Sequence, residues 1–433
     1  MSVAGKAGYK ETSLGWLPES WQCVPQAQVA TFNNGRAYKL SEWESEGTPV
    51  IRLQNLTGSG DVYYYSTLNL PDHQYVMKGD LLYMWSATFG PRIWKGGKAI
   101  YHYHIWKIDC SAKLDRLYMF HALSRFTDEM KSKTNGSTML HLTKAGMEKE
   151  AIALPPLQEQ RKIAAILTTV DDKLDVIARQ IEATQTLKRG LMQMLFSRGV
   201  GTQDANGQWV PHAEFQDSEL GQIPAGWAAE KLNSHVTKVG SGVTPKGGSD
   251  SYVSAGIPLI RSQNVLEGKL SLDDVVFIDR RQHEKMRNSA LAPNDVLLNI
   301  TGASIGRCGV LPADFDEGNV NQHVCIIRPE KSLSPHFLCH YLNSDIGQKQ
   351  ISKFQAGGNR EGLNYQQIRS FDVPVPPVPE QDEIARILGC ADEKIEVLTE
   401  KLEQYQTLKR GLMQKILTGE WRVKLSSVEP LAA

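Results

Sequence analysis

The stretch PPLQEQRKIAAILTTVDDKLDVIARQIEATQTLKRGLMQML, residues 155–195, recurs without a gap as PPVPEQDEIARILGCADEKIEVLTEKLEQYQTLKRGLMQKI, residues 376–416. Within it QTLKRGLMQ is unchanged between 185–193 and 406–414. Self-similarity on this scale marks a tandem duplication, and it has to be read before any local feature. Apolar residues in both copies alternate in steps of four and three: Ile163, Leu167, Val170, Leu174, Ile177 and Ile181, then Ile384, Leu388, Ala391, Ile395, Leu398, Leu402 and Tyr405. That is a heptad seam, and it predicts one long helix per copy. A proline pair, Pro155-Pro156 or Pro376-Pro377, stops each helix from extending backwards, and Gly199 or Gly419 stands at its end.

About 40 helical residues reach roughly 60 Å, more than a domain of this size needs. The shared stripe therefore predicts that the two helices pack on each other as a coiled coil. The pairing is antiparallel if the halves are related by a two-fold operation, which reverses one helix against the other. The alternative is an amphipathic helix lying separately on each domain.

Weaker echoes precede each matched segment in the same order. LGWLPESW (14–21) answers LGQIPAGW (220–227), TPVIRLQNL (48–56) answers GIPLIRSQNV (256–265), and KGDLLY (78–83) resembles PNDVLL (293–298). Between the echoes lie short β-branched and aromatic runs, DVYYYSTL, DVVFID and HVCIIRP, separated by Gly, Asn, Asp and Pro turns. Two short helical stretches, LYMFHALSRF and PHFLCHYLN, interrupt them. The fold class expected is mixed α/β: one domain over 1–154, a helical region over 155–198, a linker with a second, similar domain over 199–375, a second helical region over 376–421, and a tail over 422–433. The segment GVGTQDANGQWVPH (199–212) is polar and glycine-rich, and reads as the linker.

At 433 residues the chain is too long for one ordinary core. Hydrophobic residues at 41% and charged residues at 22% describe a soluble globular protein, and no run approaches the ~18 apolar residues of a membrane span. The opening MSVAGKAGYKETS lacks the apolar stretch of a secretory signal, so a cytoplasmic protein is expected. The six cysteines form no CxxC pair and have no histidines at ligand spacing; they read as reduced thiols, mostly core filler, with no metal site. The net charge of zero weighs against a nucleic-acid binder standing alone, although local patches or a partner chain can supply basic surface.

PPLQEQRKIAAIL and PPVPEQDEIARIL, each leading into a heptad helix that ends in LKRGLMQ, resemble the two conserved regions of type I restriction-modification specificity (S) subunits. LPESW and IPAGW, IRLQN and IRSQN, and the loop SGVTPKGG resemble that family's target-recognition domains, so the likeness spans nearly the whole chain. The resemblance implies that each variable domain reads one half of a bipartite, asymmetric site on double-stranded DNA, with the paired helices as the ruler between them. It also implies docking of two modification subunits, adenine methyltransferases that hold S-adenosylmethionine, and of restriction/motor subunits in the full complex. No cofactor is expected in this chain.

Three sets of residues are candidates for DNA contact. Arg52, Gln54 and Asn55, with Arg261, Gln263 and Asn264, have the chemistry for base edges, since Arg suits guanine and Asn or Gln suits adenine. Their recurrence argues for a shared framework instead, because residues that read different half-sites should differ. The loops TNGSTMLHL (134–142) and QAGGNREGL (355–363) do differ; Ser137, Thr138 and His141 stand against Gly358, Asn359 and Gly362, with Arg360 beside them. Glycine-rich backbone can approach phosphate, and the plain alternative is a surface loop. Arg92, Lys95 and Lys98 form a basic group after one expected strand, and Arg307 lies in the matching region; Lys238 and Lys246 flank the SGVTP loop. These suit phosphate positioning or simply a solvated charged face.

Catalytic signatures are missing. A methyltransferase would need [ND]PP[YFW], but Leu154 and Val375 precede the proline pairs; GSGVTPKGG lacks the Lys-Ser/Thr of a phosphate loop, and TGASIGRCG is weaker still. Asp392, Glu393 and Lys394 spell a nuclease trio by letters, yet they sit on the heptad helix, where a solvated face explains them. The remaining competitor is a scaffold whose coiled coil is the working part, which salt-sensitive, sequence-specific DNA binding would exclude.

Overall fold

The computed structural model describes residues 5, 7–133, 142–245, 247–355 and 362–425. The two heptad segments form helices Leu157–Arg198 and Val378–Ile416, of 42 and 39 residues. Each starts one residue past its proline pair. Gly199 and Gly419 follow with left-handed φ of 68° and 71°, a conformation that closes a helix at little cost only for glycine.

The chain forms two compact units, Met1–Ala178 with Lys401–Ala433, and Arg179–Glu400. This grouping crosses the linear division expected from sequence, because each long helix gives one half to each unit. In the first unit Ile163 and Leu167 share a core with Met413 and Ile416, and Asp171 pairs with Lys409 at 2.6 Å. In the second, Leu195 and Phe196 share a core with Ile384 and Leu388, and Lys188 pairs with Asp392 at 2.5 Å. Rising numbers on one helix meet falling numbers on the other, so the pairing is antiparallel in both units. Asp171 and Asp392, like Lys188 and Lys409, stand 221 residues apart, so the two ion pairs are one pair written twice. Of the expected seam, Ile163, Leu167, Val170, Ile177, Ile384, Leu388 and Leu398 are buried; Leu174, Ile181, Ile395 and Leu402 are half-buried. Full burial of each such side chain stabilises by about 1.5–3 kcal/mol. Between Ile181 and Leu191 the seam is polar, with Thr184 and Lys188 half-buried on the first helix and Lys409 in the matching stretch of the second.

The same sheet order appears in both units. In the first, an antiparallel sheet runs Ala30–Asn34, Ile105–Cys110, Leu81–Ser86, Thr88–Ile93; in the second, Val236–Ser241, Val324–Pro329, Val296–Asn299, Cys308–Val310. A second sheet runs Tyr64–Ser66, Thr48–Ile51, Ala99–Tyr101, Tyr75–Val76 in the first unit and Val276–Ile278, Ile257–Ile260, Asn319–Val320 in the other. Each contains one parallel pairing, Val50 beside Ile100 and Leu259 beside Asn319.

KGDLLY and PNDVLL enter the central strands, which are covered on both faces. Because successive side chains point to opposite faces, Leu81 and Tyr83 join the core with Trp21, Tyr118 and Ile163, while Leu82 and Met84 join Ile51, Val76 and Tyr101. Val296 and Leu298 likewise join Phe337 and Ile384, and Leu297 joins Ile260 and Val320. LYMFHALSRF lies in helix Arg116–Lys133, and PHFLCHYLN is helix Pro335–Asn343.

Two details depart from the sequence reading. The segment 199–212 is a folded hairpin, Thr202–Gln203 against Trp209–Val210, turned by Asp204 Oδ1, which accepts from the N–H groups of Asn206 and Gln208. The cysteines are free and mostly core filler as expected, with Cys308, Cys325 and Cys339 buried and Cys23 and Cys110 packed against a core; the departure is Cys390, exposed on the second long helix. Among the described residues no helix is long and apolar enough to cross a membrane.

Candidate nucleic-acid interface

The repeated motifs turn out to bind one another. Glu159 and Gln160 of the first PPxxEQ segment, and Glu380 and Gln381 of the second, are almost completely buried. Glu159 accepts from the indole N–H of Trp21 at 3.0 Å and from Arg422 Nε and Nη2 at 2.7 and 2.9 Å. Glu380 accepts from the indole of Trp227 at 2.8 Å, from the N–H groups of Val200 and Gly201 at 2.9 and 3.0 Å, and contacts His212 Nε2 at 2.9 Å. The tryptophan of LPESW or IPAGW is thus the donor that a buried carboxylate requires. Gln160 donates to the carbonyls of Lys113 and Pro155 and accepts from Asp115 N–H; Gln381 donates to Ser332 and Pro376 and accepts from Ser334 N–H. Each glutamine fastens its long helix to the loop that opens the domain's own helix.

The Arg-Gln-Asn candidates are engaged in a second repeated joint. Asn55 Oδ1 accepts the N–H of Arg52 at 2.9 Å while its amide donates to the carbonyls of Gly60 and Val62; Asn264 does the same for Arg261, Ser271 and Asp274. Arg52 Nη2 donates to Val62 O and its guanidinium lies 4.2 Å from the Tyr64 ring centroid; Arg261 Nη2 donates to Asp274 O. Gln263 Nε2 donates to Asp274 Oδ2 at 2.6 Å, and Gln54 lies against Gly60. Five of the six side chains hold the loop after a sheet strand by hydrogen bonds, and Gln54 packs against it.

The basic candidates have separate surroundings. Arg92 and Arg307 are exposed. Lys95 lies 3.7 Å from Asp175, Lys98 Nζ lies 4.0 Å from the centroid of Tyr75, and Lys238 Nζ donates to the carbonyl of Ala290 at 3.1 Å. Burial, with the charge of Arg328 behind it, lowers the pKa of Lys238. Ser137, Thr138, His141, Lys246, Gly358, Asn359 and Arg360 lie outside the described residues.

A feature that the sequence reading passed over joins the two sheets in each unit. Residues 102–104, His-Tyr-His, and 321–323, Asn-Gln-His, form a three-residue turn between a strand of the second sheet and one of the central sheet. Around the first turn Trp43, Tyr64, Trp85, His102, Tyr103 and His104 form a chain of ring contacts, including Tyr103–His104 at 3.8 Å and Trp85–His104 at 5.5 Å. Burial, helped by His104 and Arg52, pushes the pKa of His102 down to about 4, so its ring is neutral at neutral pH. The sequence signal was the run HVCIIRP (323–329), whose strand begins at Val324 as its counterpart begins at Ile105, which leaves the preceding triplets in register.

The architecture and its two sets of motif joints define a protein built from two copies of one unit, an α/β domain followed by a long helix. A model of the type I restriction modification DNA specificity domain matches residues 18–185 and again 225–406, and the chain belongs to that family. It is 31% identical to the type I restriction enzyme MjaVIII specificity subunit of Methanocaldococcus jannaschii, over 98% of each chain. To the EcoBI specificity subunit of Escherichia coli it is 27% identical, over 94% of this chain and 88% of that one. The S subunit of a type I restriction-modification system from M. genitalium shares the fold, with a TM-score of 0.58 at 15% identity over 94% and 97% of the two chains.

Proposed function

We propose that this chain is the sequence-reading subunit of a type I restriction-modification complex and performs no chemistry itself. Each α/β domain reads one half of a bipartite, asymmetric site on double-stranded DNA, and the antiparallel helices set the distance between the halves. Two modification subunits, which bind S-adenosylmethionine and methylate adenine, dock on the helices, and restriction/motor subunits complete the assembly in the cytoplasm.

The observation that carries this reading is the contrast between the halves. Helices, motif joints and sheet order repeat, whereas side chains on the loops between strands, such as His102 and Tyr103 against Asn321 and Gln322, do not. Repetition suits a rigid ruler, and divergence suits two readers of different sequences. The helices also leave apolar side chains in solvent at matching positions: Val176 and Val397, Leu187 and Leu408 are 40–59% exposed. Exposed apolar residues in register on a helix suit a protein partner.

Co-expression with a cognate modification subunit, followed by mapping of methylated adenines in a plasmid library, tests the reading. A two-part motif that changes in only one half when the first domain is exchanged is the expected result. A chain that binds no methyltransferase and directs no methylation would leave the scaffold reading in its place.

A further inference from the structure

The turns at 102–104 and 321–323 share a backbone and differ in side chains at their first two positions, the third being histidine in both. The N–H of the first residue donates to the carbonyl that ends a neighbouring strand, His102 to Ile51 at 2.9 Å and Asn321 to Ile260 at 3.1 Å. The carbonyl of that residue accepts from the residue three further on, Ile105 or Val324, at 3.0 and 3.4 Å. The carbonyl of the third residue accepts from the central strand's end, Trp85 N–H onto His104 and Ile300 N–H onto His323, at 3.2 and 3.0 Å. A glycine lies beneath each turn: a Cβ on Gly35 would stand 2.2 Å from His102 O, and one on Gly242 would stand 1.6 Å from Val320 O. Only a residue without a side chain permits that approach. The strands and glycines therefore place three side chains identically in each unit, directly after the joint made by Arg52 or Arg261.

Those side chains are all partly accessible. In the first turn, among the described residues, none of the three side chains makes a hydrogen bond, and their rings pack on Trp43, Trp85 and one another. Two imidazoles and a phenol are thereby left with open donors and acceptors. In the second turn Gln322 Nε2 lies 2.9 Å from His323 Nε2 and Thr301 Oγ1 lies 2.6 Å from His323 Nδ1. When neutral His323 accepts from the amide at Nε2, its proton is on Nδ1, and it donates to Thr301 Oγ1. The Thr301 hydroxyl hydrogen is then free, and Gln322 Oε1 is buried without a partner. Neutral groups of this kind suit base edges better than phosphates.

We propose that these two turns are base-reading elements, with His102 and Tyr103 selecting one half-site, Asn321 and Gln322 the other, and the histidine shared at the third position belonging to the frame. The inference rests on the proposed DNA-reading function. It assigns discrimination to the divergent residues of the triplets and leaves Arg52, Asn55, Arg261 and Asn264 in the frame that positions them.

The test grafts one turn onto the other domain. The double variant His102→Asn/Tyr103→Gln, co-purified with the modification subunit, is assayed by methylation mapping on a randomised library and by thermal unfolding. The expected result is an altered or relaxed preference in one half of the motif, an unchanged other half, and an unchanged melting temperature. Tyr103→Phe, which keeps the ring and removes the hydroxyl, is expected to lose about tenfold discrimination at one position of that half. The reciprocal Asn321→His/Gln322→Tyr should move the opposite half. Unchanged motifs in all three variants overturn the proposal while the proposed function stands. Equal loss in both halves also overturns it, in favour of a purely structural turn. Absence of any motif with the unmodified chain overturns the functional reading and this inference together.

Discussion

The buried glutamates of the two PPxxEQ segments occupy matching places, with different means of neutralisation. Glu159 in the first unit meets the guanidinium of Arg422, while Glu380 in the second meets His212 and two backbone N–H groups. Only the indole, from Trp21 or Trp227, is common to both. The shared donor comes from the repeated part of the chain, and the others come from the segment that follows each long helix, where the copies no longer match. Duplication therefore preserved the need of a buried carboxylate for several donors, and each glutamate meets it with what the segment after the other copy's helix offers. The turns at 102–104 and 321–323 show the same division in reverse, since they keep their backbone frame and change their first two side chains.

The largest effect expected from this comparison is the loss of Glu380. Glu380→Ala leaves the indole, His212 and two backbone N–H groups unpaired in the interior, and should cost the second unit about 3–5 kcal/mol. Glu159→Ala should cost the first unit less, about 2 kcal/mol, because the Arg422 side chain is already 46% exposed and can turn to water. Urea denaturation followed by tryptophan fluorescence compares the two, and equal losses would break the distinction drawn between them.

A smaller contrast involves the buried histidines near the interhelical ion pairs, His121 by Asp171 and His340 by Asp392. Burial, with Lys409 nearby, pushes the pKa of His121 down to about 3; burial, opposed by Asp392, pushes that of His340 down to about 4. Both folded values lie below the ordinary unfolded value near 6.5, so below that pH the unfolded chain binds protons that the folded chain does not. Stability from each site is complete above about pH 6.5 and falls by roughly 1.4 kcal/mol per pH unit toward the folded pKa. His121→Gln and His340→Gln should each flatten the acid limb between pH 6 and 4.5 by similar amounts. A flattening by one variant alone, measured in denaturation series across that range, would show that the two sites are not equivalent.

The smallest effects separate ion pairs by burial. Double-mutant cycles should give about 1 kcal/mol of coupling for Asp171–Lys409 and for Lys188–Asp392, which are partly sheltered between helices. The exposed Lys95–Asp175 pair should show no measurable coupling. Coupling confined to one of the interhelical pairs would sharpen the comparison by showing which unit relies on the clasp.

The long helices were legible because a heptad period is a local property of consecutive residues, and Ile163, Leu167, Ile384 and Leu388 are buried where that period places them. KGDLLY and PNDVLL were legible as strands, but their burial on both faces was not, since it depends on a second sheet from distant residues. The role of Asn55 and Asn264 was half visible: recurrence pointed to a frame, yet the accepting carbonyls of Val62 and Asp274 could not be chosen from spacing. The triplets at 102–104 and 321–323 left little signal of their own, because only their third residue, His104 or His323, repeats between copies.

By itself the sequence determined the duplication, the helical period, the proline starts and glycine ends, and the mixed α/β character of the domains. All of these follow from backbone sterics and side-chain periodicity within a few turns of chain. Tertiary structure decided that each unit takes half of both long helices, that Trp21 donates to Glu159 across 138 residues and Trp227 to Glu380 across 153, and that unlike triplets share one turn. Those outcomes depend on which distant donor reaches a buried acceptor, and sequence spacing does not encode that distance.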